Sequence, residues 1–107
     1  MQMERVQQEL QAVQQHIKRA AQACQASGNV PSDLKSAIQQ LDQQSNQVQQ
    51  VMQSGDENQI LQCVDELEEI SDRAQHACER SDGLDTQLQA CVEQAHEKLS
   101  SLKHQLH

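Results

Sequence analysis

Met3, Val6, Leu10, Val13, Ile17, Ala20 and Cys24 follow one another at alternating steps of three and four, the interval that sets side chains in one row along an α-helix. The row resumes as Leu34, Ile38, Leu41, Ser45, Val48 and Met52, then as Ile60, Val64, Leu67, Ser71, Ala74 and Cys78, and last as Leu88, Val92, Ala95, Leu99, Leu102 and Leu106. Between rows stand Ser27-Gly28-Asn29-Val30-Pro31-Ser32, Ser54-Gly55-Asp56 and Ser81-Asp82-Gly83, which hold every glycine and the single proline. Glycine supplies left-handed backbone past a helix end, and proline blocks continuation. Ser32 before Asp33, Asp56 before Gln59 and Asp82 before Asp85 offer oxygens to the free amides at helix starts. The pattern predicts four helices, at 3–27, 33–54, 56–81 and 84–106.

A three-four stripe is the seam of a left-handed bundle, and four similar helices with short links run most simply up, down, up, down. The expected fold is therefore an all-α, antiparallel up-down four-helix bundle forming one domain over 1–107. Self-association is a further expectation, because small cores are marginal and an interface adds buried area.

Composition sharpens this picture. The 107 residues include no Phe, Trp or Tyr, and 8 basic residues stand against 16 acidic ones, a net charge of −8. Such charge repels phosphate backbones and anionic membranes, and the missing aromatics remove the stacking platforms of single-strand binders and most small-molecule pockets. Nucleic acid, membrane and small-molecule partners are not expected. The 23 glutamines are uncharged helix formers suited to exposed positions. No apolar leader follows Met1 and no apolar run is long enough to span a bilayer, so the expected location is the cytoplasm, with the four cysteines reduced.

Candidate chemistry is sparse. In an up-down bundle Cys24, Cys78 and Cys91 fall in one half of the molecule, where thiolates could hold Cu(I) or Zn(II) or report redox state. No Cys-x-x-Cys occurs, so every ligand would come from a different helix, and the first and third helices are diagonal. Buried free thiols acting as small apolar residues are the ordinary alternative. The acidic run Asp65-Glu66-Leu67-Glu68-Glu69-Ile70-Ser71-Asp72 lacks Glu-x-x-His and is expected to be a solvated face. Ser45 and Ser71 interrupt their stripes near the level of Ala95. They predict a small polar waist that is closely packed, bonded back to its own helices, or a small cavity. His104 and His107 make at most an adventitious chelating pair near the end of the chain.

Cys63, Ile70 and Ala77 recur every seven residues beside the third stripe, with Leu61 on its other side and Val51 flanking the second. They widen the apolar faces, either to complete packing between adjacent helices or to leave a strip for another helix or a second copy. Leu61, Cys63, Ile70 and Val51 are accordingly the candidate interaction residues.

One short stretch, His16-Ile17-Lys18-Arg19-Ala20-Ala21, resembles histidine phosphotransfer domains. Those four-helix proteins present an imidazole for phosphorylation, with a basic residue one turn on and small residues beside it. The resemblance implies His16 as phosphoacceptor and Arg19 as charge partner, but the glycine those domains place after the basic residue is absent. No catalytic triad, phosphate loop or zinc-hydrolase motif is present, and no cofactor is expected. The leading expectation is a protein–protein interaction module (an adaptor, dimer or small chaperone-like protein) that is not an enzyme. A soft-metal or redox bundle and a phosphotransfer protein are the alternatives.

Overall fold

The computed structural model describes residues 3–28, 30–81 and 83–106; 87% of them are helical and no strand occurs among them. In chain order the elements are α1 (Met3–Ala26), α2 (Ser32–Ser45), α3 (Val48–Ser54), α4 (Glu57–Glu79) and α5 (Thr86–Leu106). They pack into a body of 40 × 22 × 18 Å. α1 lies against α2 and α5, α4 lies against the same two helices, and the short α3 touches α4 and α1. The side chain of Met3, the proposed cap Asp82 and the terminal His107 lie outside the described residues.

The stripes form a single core. Val6, Leu10, Val13, Ile17, Ala20 and Cys24 are buried from α1, as are Leu34, Ile38, Leu41 and Val48 from α2 and α3. Ile60, Val64, Leu67 and Ala74 complete it from α4, with Leu88, Val92, Ala95, Leu99 and Leu102 from α5. Among the described stripe residues only Met52, Cys78 and Leu106, at the stripe ends, stay half-buried. Each fully buried Leu, Ile or Val contributes about 1.5–3 kcal/mol. Cohesion therefore comes from many medium aliphatic groups rather than from a few aromatic anchors. Ser45 and Ser71 are wholly buried, and each hydroxyl donates to a carbonyl of its own helix, Asp42 O and Glu68 O, both at 2.8 Å.

Where helices begin depends on local chemistry. Asp56 caps α4, its Oδ1 accepting from Asn58 N at 2.9 Å, while Gln59 meets Ser54 Oγ at 3.1 Å. α5 starts at Thr86 instead of 84, because Asp85 is the residue whose Oδ1 accepts the Gln87 amide at 2.7 Å. α2 starts at Ser32, behind Pro31, whose carbonyl accepts from Lys35 N at 2.9 Å. Gly55 ends α3 in the left-handed region, φ 68°, and Gly83 adopts φ 75°; Gly28 is not left-handed, contrary to the expectation for all three breaks.

The main correction falls on the second helix, expected to be continuous over 33–54. It breaks at Asn46 and Gln47, where the Gln47 amide reaches back only three residues, to Gln44 O at 3.0 Å. Ser45 and Asn46 are weak helix formers whose side chains compete for backbone partners, and α1 supplies side-chain donors at this point. Gln14 Nε2 donates to Ser45 O at 3.1 Å, and Lys18 Nζ donates to Asp42 Oδ1 at 3.0 Å and to Asn46 Oδ1 at 2.8 Å. Both break residues remain right-handed, so the break is a tightened turn rather than a loop.

Candidate functional site

The cysteines are spread through the core. Cys24 on α1 and Cys91 on α5 are buried, Cys78 is half-buried near the end of α4, and all are free thiols. Among the described residues no group of three His, Cys, Asp or Glu side chains is placed to hold a metal ion, so Cys24, Cys78 and Cys91 are not brought together as one. α1 and α4 are separated by the core, with α2 and α5 between them. Burial pushes the Cys63 and Cys78 thiols up to about 11, with Glu66 and Glu79 adding to the respective shifts. Burial also raises Cys24, with Lys35 opposing. These three sulfurs are held as thiols at neutral pH, while the thiolate is the form that binds metal and attacks disulfides.

The four candidate interaction residues separate. Cys63 and Ile70 are only 6% and 7% exposed and belong to the chain's own core, as does Ala77, so this seam packs internally. Val51 and Leu61 remain half-buried. Val51 and Cys63 share a groove of about 290 Å³ with Gln44, Gln47, Gln59 and Glu66.

Histidines occupy both flanks of α5. On the α4 side, His96 Nε2 lies 3.4 Å from Asp72 Oδ1 and 3.9 Å from Glu68 Oε1, and Lys103 Nζ lies 3.5 Å from Glu68 Oε2. His96 Nε2 is closed off from water without a hydrogen-bond partner. His76 extends the cluster, 3.6 Å from Asp72 Oδ2 and 3.7 Å from Glu79 Oε2. Glu68, expected on the solvated face, is only 19% exposed and packs on this seam. The signal available in the sequence was His96 and Lys103, seven apart on α5, set against Glu68 and Asp72, four apart on α4.

On the α1 side, His16 is half-buried beside α5, and its Nδ1 is closed off without a partner. Burial holds its pKa below the ordinary 6.5, and the positive charges of Lys98 and Arg19 lower it further. Arg19 is the expected neighbour one turn on, whereas Lys98 comes from α5 and was not foreseen. With Nδ1 enclosed, only Nε2 could accept a group from solvent. The sign of the shift gives a prediction. The unfolded chain binds the His16 proton more readily than the folded one, so stability is unaffected above pH 6.5 and falls as pH drops below it. In urea titrations across that range, His16→Gln should lose less stability than wild type; an identical pH slope would contradict the assignment.

A concavity runs along the outer face of α1. It is an open groove of about 580 Å³ lined by Gln11, Gln14, Gln15, Gln22, Lys18 and Arg19, with Gln49 from α3 opposite. The break after Ser45 makes this geometry, since it sets Gln49 on a short separate helix beside α1. A second groove, of about 290 Å³, lies between α2 and α4. It is bridged by Arg73 Nη2 to Gln40 Oε1 at 3.0 Å and Arg80 Nη2 to Asp33 Oδ2 at 3.3 Å. Amides and cations on exposed helix faces can donate several hydrogen bonds to a chain lying along them. No family model, curated protein or solved structure matches this chain.

Proposed function

We propose that the chain is a non-enzymatic interaction module, an antiparallel up-down helical bundle that holds another protein along its polar helix faces. Register supports the bundle reading. Gln14 pairs with Ser45 and Lys18 with Asp42; Asp33 pairs with Arg80 and Gln40 with Arg73; Glu68 pairs with Lys103 and Asp72 with His96. In each set, numbers rise along one helix as they fall along its neighbour. A cytoplasmic location fits the four free thiols; no helix among the described residues is long and apolar enough to cross a membrane.

The observation that carries the reading is the groove along α1. Small-molecule sites are enclosed and mostly apolar, with a few fixed polar groups. This groove is open, about 580 Å³, and lined by long polar side chains, which suits a macromolecular segment making many weak polar contacts. The test is affinity capture on the immobilised bundle from its source cells, repeated with Gln11→Glu/Gln15→Glu and followed by reconstitution with the purified captured protein. A stoichiometric partner that binds wild type and is weakened at least about tenfold by the variant, roughly one hot spot's worth, is expected. Retention of the same proteins by both baits would refute the reading.

A further inference from the structure

We propose that the outer face of α1, with the adjoining flank of α5, docks the acidic outer face of α4 from a second copy of this chain. The proposal rests on the interaction-module reading and names its surface and occupant. Its basis is the segregation of charge. α4 carries seven carboxylates against Arg73, a net −6, whereas α1 carries Glu4 and Glu9 against Arg5, Lys18 and Arg19, a net +1. No Asp or Glu occurs between Glu9 and Asp33. α1 and α4 each pack against α2 and α5, so the two faces point to opposite sides of the core.

Apart from Lys18, which pairs with Asp42, the cations of α1 and its α5 flank lack an ion-pair partner among the described residues. Arg80 and Lys103 are matched to Asp33 and Glu68, and Arg73 bonds Gln40. Arg5 and Arg19 are exposed, Lys98 is half-buried at the α1–α5 seam, and none of the three makes an ion pair with a described residue. Along α5 the positions sharing the Lys98 flank are Gln94, Ser101 and Gln105, again without an acid. On α4, Glu66 and Glu69 are exposed and likewise make no ion pair with a described residue.

Lengths agree as well. α1 has 24 residues and α4 has 23, so each spans about 35 Å and the two faces can align along most of their length. The net charge of −8 opposes association at long range. Screening over about 8 Å at physiological salt, against a cross-section of 22 × 18 Å, leaves the contacting charges dominant. Because each copy bears one face of either sign, the contact is head to tail and can repeat along a row of molecules.

Sedimentation equilibrium of the intact protein from roughly 10 µM to 1 mM tests this, with circular dichroism confirming that every variant remains helical. Wild type should exceed monomer mass increasingly with concentration and revert to monomer when salt is raised from about 0.05 to 0.5 M. Arg19→Glu/Lys98→Glu and Glu66→Lys/Glu69→Lys should each weaken association at least about tenfold, and mixing the two variants should restore it, through the unaltered α4 face of the first on the unaltered α1 face of the second and through the reversed pair. A wild type that is monomeric throughout, an Arg19→Glu/Lys98→Glu protein that assembles as well as wild type, or a mixture that fails to recover would each overturn the proposal. A captured partner sensitive to the groove variant would then still stand, so failure here is separable from failure of the broader reading.

Discussion

Leu67→Ala is expected to remove a large part of the stability of this protein. Leu67 lies mid-way along α4 and is wholly buried, and α4 packs against both α2 and α5. Truncating such a leucine costs about 2–5 kcal/mol, the lost transfer free energy plus the cavity left behind, out of a total of about 5–15 kcal/mol for a domain of this size. The chain has no Phe, Trp or Tyr, so no bulky side chain is at hand to move into the space. Urea unfolding followed by circular dichroism should show a midpoint lowered by about 1 M or more, given slopes of about 1–3 kcal/mol/M. Leu61→Ala is the control: Leu61 sits on the same helix but is only half-buried, and its midpoint should move far less. Equal effects at the two positions would mean that the stripe on α4 is not the buried one.

That comparison also marks how far the sequence could be read. A stripe is a property of one helix: the alternation of three and four steps needs only local geometry, and Leu10, Ile38, Leu67 and Leu99 are buried as it predicts. The break at Asn46 and Gln47 was not legible, because it depends on Gln14 and Lys18 reaching across from α1 to Ser45, Asp42 and Asn46. Until that register is known, Ser45 reads only as a polar interruption. The flanking seam could be read only as two alternatives, packing within the bundle or a strip for a partner, for a related reason. Periodicity places Cys63 and Ile70 beside the core, but whether a neighbouring helix covers them depends on inter-helix spacing, and here they are covered. Candidate sites suffered most, since each relevant group is assembled from two helices: Lys98 with His16, and His96 with Glu68 and Asp72. The acid-free stretch after Glu9 was present in the sequence all along, but it acquires meaning only once α1 and α4 are known to lie on opposite sides.

Ser71→Leu supplies the heptad with the residue its pattern calls for, and it is nonetheless expected to destabilise the protein by about 1–3 kcal/mol, the usual consequence of forcing extra methylenes into a filled interior. Ser71 is wholly buried in the same core as Ser45 and Ala95, and small residues at such positions let helices approach closely. Its hydroxyl does not hold the helices together, since its hydrogen bond goes to Glu68 O of its own helix. Ser71→Ala should therefore stay within about 1 kcal/mol of wild type: it loses a bond worth about 0.5–1.5 kcal/mol and gains about 0.5 kcal/mol from the better helix propensity of alanine. The order of midpoints in urea, wild type and Ala close together with Leu well below, would identify the waist as a packing constraint. The reverse order, with Leu the most stable, would show unfilled space beside Ser71 and make the waist a cavity, because added bulk stabilises only where it fills a void.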